Sequence, residues 1–64
     1  MPSDETRRLL RAFGVAVTAF EDAVQGKTLV DEIRTAEGEA RARLQEVSAL
    51  IDRLRDQASA ALND

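Results

Sequence analysis

The side chains of this sequence that could do chemistry are carboxylates and guanidinium groups. Twelve Asp and Glu residues and nine Lys and Arg residues make up a third of the 64 residues and leave a net charge of −3. Histidine and cysteine are absent, and Lys27 is the only lysine. This set supplies oxygen ligands for hard cations and arginines for phosphate groups. It lacks the nitrogen and sulfur ligands of the usual zinc sites.

The spacing of these residues favours neither catalysis nor metal binding. Without histidine, the hydroxyls of Ser3, Ser48 and Ser59 have no base for a serine triad within one chain. Di-iron sites in helical bundles need Glu-x-x-His pairs, which are excluded for the same reason. A hard-cation site is conceivable from six carboxylates, but nothing in their spacing requires one. They are Glu21, Asp22, Asp31, Glu32, Glu37 and Glu39. We therefore predict a protein that is not an enzyme and needs no metal ion or cofactor.

Arginines are the remaining chemical feature. The candidate contacts to nucleic acid form two clusters, Arg7, Arg8 and Arg11 and then Arg41 and Arg43. Arginine suits phosphate, and an antiparallel hairpin would bring the two clusters close together. Acidic residues are interleaved with both clusters, however, so local pairing explains them without a ligand. The net charge of −3 gives no general attraction to nucleic acid. A small dimeric nucleic-acid-associated regulator that uses these arginines is therefore only the alternative function.

Two helices must position these side chains. Ser3 is a good N-cap, so helix 1 is predicted over about residues 4–25. Gly26 suits the left-handed conformation that ends many helices. After a turn at 26–28, in which Thr28 can cap, helix 2 is predicted over about residues 29–62. Such a short connection forces antiparallel neighbours, so the sequence predicts an all-α fold.

The predicted domain is thus one helical hairpin spanning residues 1–64, and apolar residues at alternating spacings of three and four define its packing faces. On helix 1 the stripe is Leu10, Phe13, Val17, Phe20 and Val24. We expect it to pack against Val30, Ile33, Ala40, Leu44 and Val47 of helix 2.

The two helices differ in length. At 1.5 Å per residue, helix 1 is about 33 Å long and helix 2 about 50 Å, so helix 1 covers helix 2 only to about Leu50. The predicted interface with a second chain is the apolar face at and beyond this level, Val47, Leu50, Ile51, Leu54, Ala58, Ala61 and Leu62. A face of this width is more than soluble monomers usually expose. We expect dimerisation into a four-helix bundle.

Two residues near the middle of helix 2 leave alternatives open. Gly38 could break the helix, and the chain would then close on itself as a three-helix bundle. The apolar spacings of helix 2 also form a seven-residue (heptad) repeat, and this repeat places the carboxylate of Glu37 among the apolar positions of the helix. There it could set the register by pairing with Arg34 or Arg41 of a facing helix. Rotation of the helix at Gly38, which would turn Glu37 outward and Ala36 inward, is the competing interpretation.

Size and composition favour association as the function. Cores of fewer than about 70–80 residues rarely supply more than ~3–5 kcal/mol, and this chain has no cysteine for a disulfide. We predict a non-enzymatic protein-interaction module, either a self-assembling bundle, most simply a dimer, or a small accessory subunit of a larger protein. Asp4 and Glu5 near the start differ from a signal peptide, and the apolar runs are far shorter than the ~20 residues of a membrane span. A cytoplasmic location away from membranes is expected.

Overall fold

The computed structural model describes residues 2–26 and 29–63. It contains two α-helices, α1 over Asp4–Gln25 and α2 over Val30–Asn63, which lie side by side. The all-α helical hairpin with a short first helix and a long second helix is therefore confirmed. Lys27 and Thr28, which carried the predicted turn and the predicted cap of helix 2, lie outside the described residues.

The start of α1 is capped as its sequence predicts. Ser3 has extended backbone angles, with φ at −70° and ψ at 163°, and its Oγ accepts a hydrogen bond from the backbone N–H of Thr6 at 3.1 Å. Asp4 and Glu5 place negative charge in the first turn, beside the positive end of the helix dipole. A cap of this kind stabilises a helix by about 1 kcal/mol.

The end of α1 differs from the prediction. Gly26 has φ at −76° and ψ at −5°, which is right-handed, so the expected left-handed conformation is wrong. Its N–H donates to the carbonyl of Asp22 at 2.8 Å, which extends the helical hydrogen-bond pattern by one more residue. The last turn is therefore closed without the positive φ that only glycine adopts easily.

Helix α2 runs through Gly38 without a break, so the three-helix alternative is wrong. A Cβ placed on Gly38 would meet no atom within 4 Å, and no packing contact at this position forces the chain to bend. The residues on both sides, Glu37 and Glu39, are good helix formers, and one glycine costs only about 1 kcal/mol relative to alanine. Propagation from both sides outweighs that cost.

Small side chains form the contact between the two helices. Three residues are buried, Ala16 of α1 at 7% exposure and Ala40 and Leu50 of α2 at 8% each. Larger side chains around them are half-buried, namely Leu9, Phe13, Phe20, Ile33 and Val47. No large side chain among the described residues is fully buried. The hairpin therefore has a thin contact layer rather than a closed core.

The rotation of α1 differs from the predicted one. Phe13 and Phe20 do lie toward α2, but between them it is Ala16 that is buried, while Val17 stays 41% exposed. Two alanines, Ala16 and Ala40, provide the buried positions on the two helices, and alanine allows helices to approach closely. Leu10, Val24 and Val30 are at least half exposed, and Val17 and Leu44 share a groove while staying 41% and 48% exposed, so none of these five predicted packing residues is buried.

The hairpin is long and thin. Its principal extents are 54, 19 and 13 Å, and the smallest is close to the diameter of one helix, about 10–12 Å. Its radius of gyration is 15.6 Å, whereas a compact chain of this length has about 11 Å. An ion pair between Glu5 and Arg53 joins the start of α1 to α2 at the open end. The fold is thus a single layer of two helices with two open sides.

Candidate interaction surface

One side of the hairpin is lined by apolar side chains of both helices. Phe13, Val17 and Phe20 of α1 share a shallow groove with Ala40 and Leu44 of α2. Because a helix repeats its direction about every seven residues, Leu10 and Val24 lie on the same side as Val17. Val30 and Ile51 likewise lie in line with Leu44. These positions therefore lie on one side of the hairpin, and on α2 Glu37 lies in the same line between Val30 and Leu44.

We call this surface the apolar flank, and define it as Leu10, Val17, Val24, Val30, Leu44 and Ile51. All six side chains are between 41% and 62% exposed. Scattered exposed apolar residues are ordinary on protein surfaces, but several gathered on one side of a small chain make that side a candidate for interaction. The fold of the single chain leaves this flank uncovered.

The other side of the hairpin is different in character. A groove there is lined by Ala16, Ala19 and Ala36 together with Thr35 and acidic residues at its rim, Asp31, Glu32 and Glu39. Its walls are short side chains, so it is shallow and open. Val15, which is 65% exposed, also faces this side, in a groove that it shares with Ala12, Ala16 and Glu39. The two sides of the hairpin are thus chemically distinct.

The end of α2 extends beyond α1. Every residue from Ile51 to Leu62 is exposed, whereas Leu50, one residue earlier, is buried. We call residues 51–62 the overhang. Of the predicted interface, Ile51, Leu54, Ala58, Ala61 and Leu62 lie in this free segment. The structure corrects the prediction that Leu50 contacts a second chain, because this side chain is buried within the single chain. Val47 is half-buried there.

Glu37 lies within the α2 line of the apolar flank, between Val30 and Leu44. Its carboxylate accepts a hydrogen bond from Arg41 Nε at 2.9 Å, and both residues line the groove that contains Val17 and Leu44. Arg34, the other predicted partner, has no ion pair among the described residues. The Glu37–Arg41 pair lies within one helix, so any register-setting role across a second chain stays a prediction.

The structure brings the two arginine clusters together in part, as the sequence predicts for a hairpin. Arg41 lies in the groove with Val17 and Leu44, whereas Arg43 lines the groove on the alanine side with Arg8 and Arg11. Arg43 Nε is 3.1 Å from a carboxylate oxygen of Glu39, and the same guanidinium also contacts the carboxylate of Glu46. Only the first cluster, Arg7, Arg8 and Arg11, has no ion pair among residues 2–26 and 29–63.

The carboxylates do not converge on a common point. In the described part of the chain, no three acidic side chains are placed to hold a metal ion. Within the described residues, neither α1 nor α2 is long and apolar enough to cross a membrane.

The flank residues belong to the apolar repeats that the sequence shows, although the sequence predicts that most of them pack within the chain. Val30, Leu44 and Ile51 repeat at multiples of seven, as do Leu10, Val17 and Val24. Pattern alone assigns each set to a helix face but does not say whether that face meets the other helix of the same chain or a second chain. Comparison with protein-family models, curated proteins and solved structures gives no match.

Proposed function

We propose that this chain is a non-enzymatic protein-interaction module that associates with a second copy of itself through the apolar flank. Two hairpins, each one helix thick, would stack face to face and form a four-helix bundle. The observation that carries the proposal is the flank itself, with six exposed apolar side chains in two seven-residue repeats on one side of the hairpin. A single layer of helices must bury its apolar stripe against another layer to be stable.

The exposed area of the chain supports this partner. The single hairpin exposes 5240 Å². A compact monomer of 7.0 kDa exposes roughly 4,000 Å², about 1,200 Å² less. A stable dimer buries about 800 Å² on each partner, so the excess is sufficient for an interface of ordinary size. A second copy satisfies this requirement on both partners at once.

The overhang supports the same partner. At 54 Å, the hairpin carries apolar side chains along its whole length, and Ile51 continues the flank to the level of the first turn of α1. The flank of a second hairpin is of equal length and similar composition. A four-helix bundle made of two copies would therefore cover both the paired part of the hairpin and the start of the overhang. We also propose the cytoplasmic location that is predicted from the sequence.

Sedimentation equilibrium over a wide range of protein concentration tests the proposal, with circular dichroism on the same samples. We expect the mass to approach twice 7.0 kDa as the concentration rises, with high helicity throughout. The mass of one chain at every concentration would overturn the proposal. If that monomer were also poorly helical, the result would point to a larger protein as the occupant of the flank.

A further inference from the structure

Charged residues without an ion pair in the described part of the chain lie near both ends of α1. On α2, most arginines contact an acid of the same helix, as Arg41 does with Glu37 and Arg55 with Asp52 and Asp56. On α1, no charged residue except Glu5 has an ion pair among the described residues, and Arg7 and Glu21 are two of those without one. The first lies near the start of the helix and the second near its end. The two charges are too far apart to neutralise each other within one chain.

These two residues lie along the outer edge of the apolar flank. Arg7, Gly14 and Glu21 repeat every seven residues, so they form one line on α1. Each precedes a flank residue, Leu10, Val17 or Val24, by three positions and is therefore rotated from it by about 60°. The rotation is away from α2, since Gly14 is exposed and lies in an outward groove with Val15. A helix laid on the flank would run beside this line.

We propose that the second copy lies antiparallel on the flank, with the two-fold axis near Gly14, so that Arg7 of each copy pairs with Glu21 of the other. This inference rests on the proposed self-association. Arg7 and Glu21 are each seven residues from Gly14, about 10.5 Å along the helix in opposite directions. A two-fold axis at Gly14 therefore places Arg7 of each copy at the level of Glu21 of the other, so that two symmetric ion pairs can form. In a parallel arrangement the two-fold axis would run along the helices and lay α1 of each copy on α2 of the other, so Arg7 and Glu21 of the two copies would lie on opposite edges and could not pair.

The same axis places the overhang on apolar residues of the second copy. The Glu5–Arg53 ion pair and the groove shared by Val17 and Ala40 fix the relative levels of the two helices, and they put Gly14 level with Arg43. Reversal about that level lays residues 51–54 of one copy over the first turns of α2 in the other. Exposed Val30 and half-buried Ile33 lie in those turns. The charge pairing and the apolar coverage thus lead to one register.

Gly14 itself is compatible with a close approach on the axis. A Cβ at this position would meet no atom of the same chain within 4 Å, so nothing in the single hairpin requires glycine there. Glycine in a helix is less favourable than alanine. Where two copies of α1 cross, the missing side chains shorten the distance between the helices and bring the flanking charges within reach of each other.

Charge reversal tests the inference. Arg7→Glu alone and Glu21→Arg alone each turn both ion pairs into like-charge pairs, and we expect each to raise the dissociation constant of the dimer roughly tenfold. The double variant Arg7→Glu with Glu21→Arg restores opposite charges and should return the constant to within about threefold of the wild-type value. Neither single change weakens the helix, because glutamate near its start and arginine near its end both suit the helix dipole.

Arg8→Glu and Asp22→Arg provide the matched control. They make the same changes in net charge, one position further along α1, but their side chains lie away from the flank, in grooves on the alanine side or the outer face of α1. We expect both controls to dimerise like the wild type. Equal weakening by the controls, or no weakening by the Arg7 and Glu21 variants, would overturn the antiparallel pairing while leaving self-association intact.

The wild-type mass separates this inference from the proposal beneath it, because a monomeric wild type would overturn both. Fluorescence anisotropy with a labelled duplex oligonucleotide supplies the other discriminating result. Binding that Arg7→Glu and Arg8→Glu both abolish, with no change in dimer mass, would assign these arginines to phosphate contacts and overturn the ion pairing. Absence of binding, together with rescue in the double charge-reversal variant, is the expected outcome.

Discussion

Replacement of Val17 by aspartate is expected to dissociate the protein into single chains. Val17 lies at the centre of the flank on α1, beside Phe13, Phe20 and Leu44. In the dimer its side chain meets the second copy, and the aspartate would bury an unpaired carboxylate at two symmetric places. The cost is about 4 kcal/mol or more, which raises the dissociation constant about a thousandfold. Sedimentation equilibrium measures the mass directly.

Val15→Asp is the control for this result. Val15 is the same residue type on the same helix and is 65% exposed, but it faces the alanine side. Its replacement by aspartate should leave the mass and the dissociation constant close to those of the wild type. If Val15→Asp dissociated the protein while Val17→Asp did not, the alanine side would be the interface and the flank would be an ordinary surface.

Replacement of Leu54 by aspartate is expected to weaken the dimer by about 2–3 kcal/mol, roughly a hundredfold in the dissociation constant. Leu54 lies in the overhang and is 49% exposed in the single chain. In the antiparallel bundle it covers the first turns of α2 of the other copy, so the change removes apolar contact at both ends of the interface. Helicity at high protein concentration should stay close to that of the wild type.

Ala60→Asp tests whether this effect is specific to the apolar face. Ala60 also lies in the overhang and is exposed, but six residues further along the helix it points about 120° away from Leu54. It should have little effect on dimerisation. A Leu54→Asp protein that kept the wild-type mass and helicity at every concentration would show that the overhang takes no part in self-association.

The helices and their antiparallel pairing followed from the sequence because local signals agree there. Ser3 caps α1 through its own side chain, and acidic residues follow it in the first turn. The spacing of apolar residues in threes and fours is a property of the helix alone, so it identifies helices before any partner is known. A lone Gly38 is a weak break signal, and the continuous α2 agrees with that weakness.

The rotation of α1 could not be predicted because its apolar residues cover a wide arc. Leu9, Ala16 and Ala23 lie on one edge of the arc, and Leu10 and Val17 lie on the other. Large side chains on the second edge led to the prediction that this edge faces α2. The structure instead turns the alanines inward, since small residues permit a closer helix pair, and leaves the larger residues outside.

Leu50 illustrates the same difficulty at the end of α1. The predicted length of α1 put its start level with Leu50, so this residue was assigned to the surface for a second chain. The Glu5–Arg53 ion pair shows that α1 reaches slightly further along α2, and Leu50 is buried beneath it. A shift of one helical turn, about 5.4 Å, decides between a core residue and a surface residue.

The most direct measurement is an isotope-filtered NOE experiment on a mixture of labelled and unlabelled chains, which records only contacts between copies. An antiparallel dimer on the flank predicts intermolecular NOEs from the methyl groups of Val17 to the ring protons of Phe13, and from Leu54 to Val30. Intermolecular NOEs that instead join Val15 or Ala19 across the copies would contradict the account. So would the absence of any intermolecular NOE, together with a sedimentation mass equal to that of a single chain.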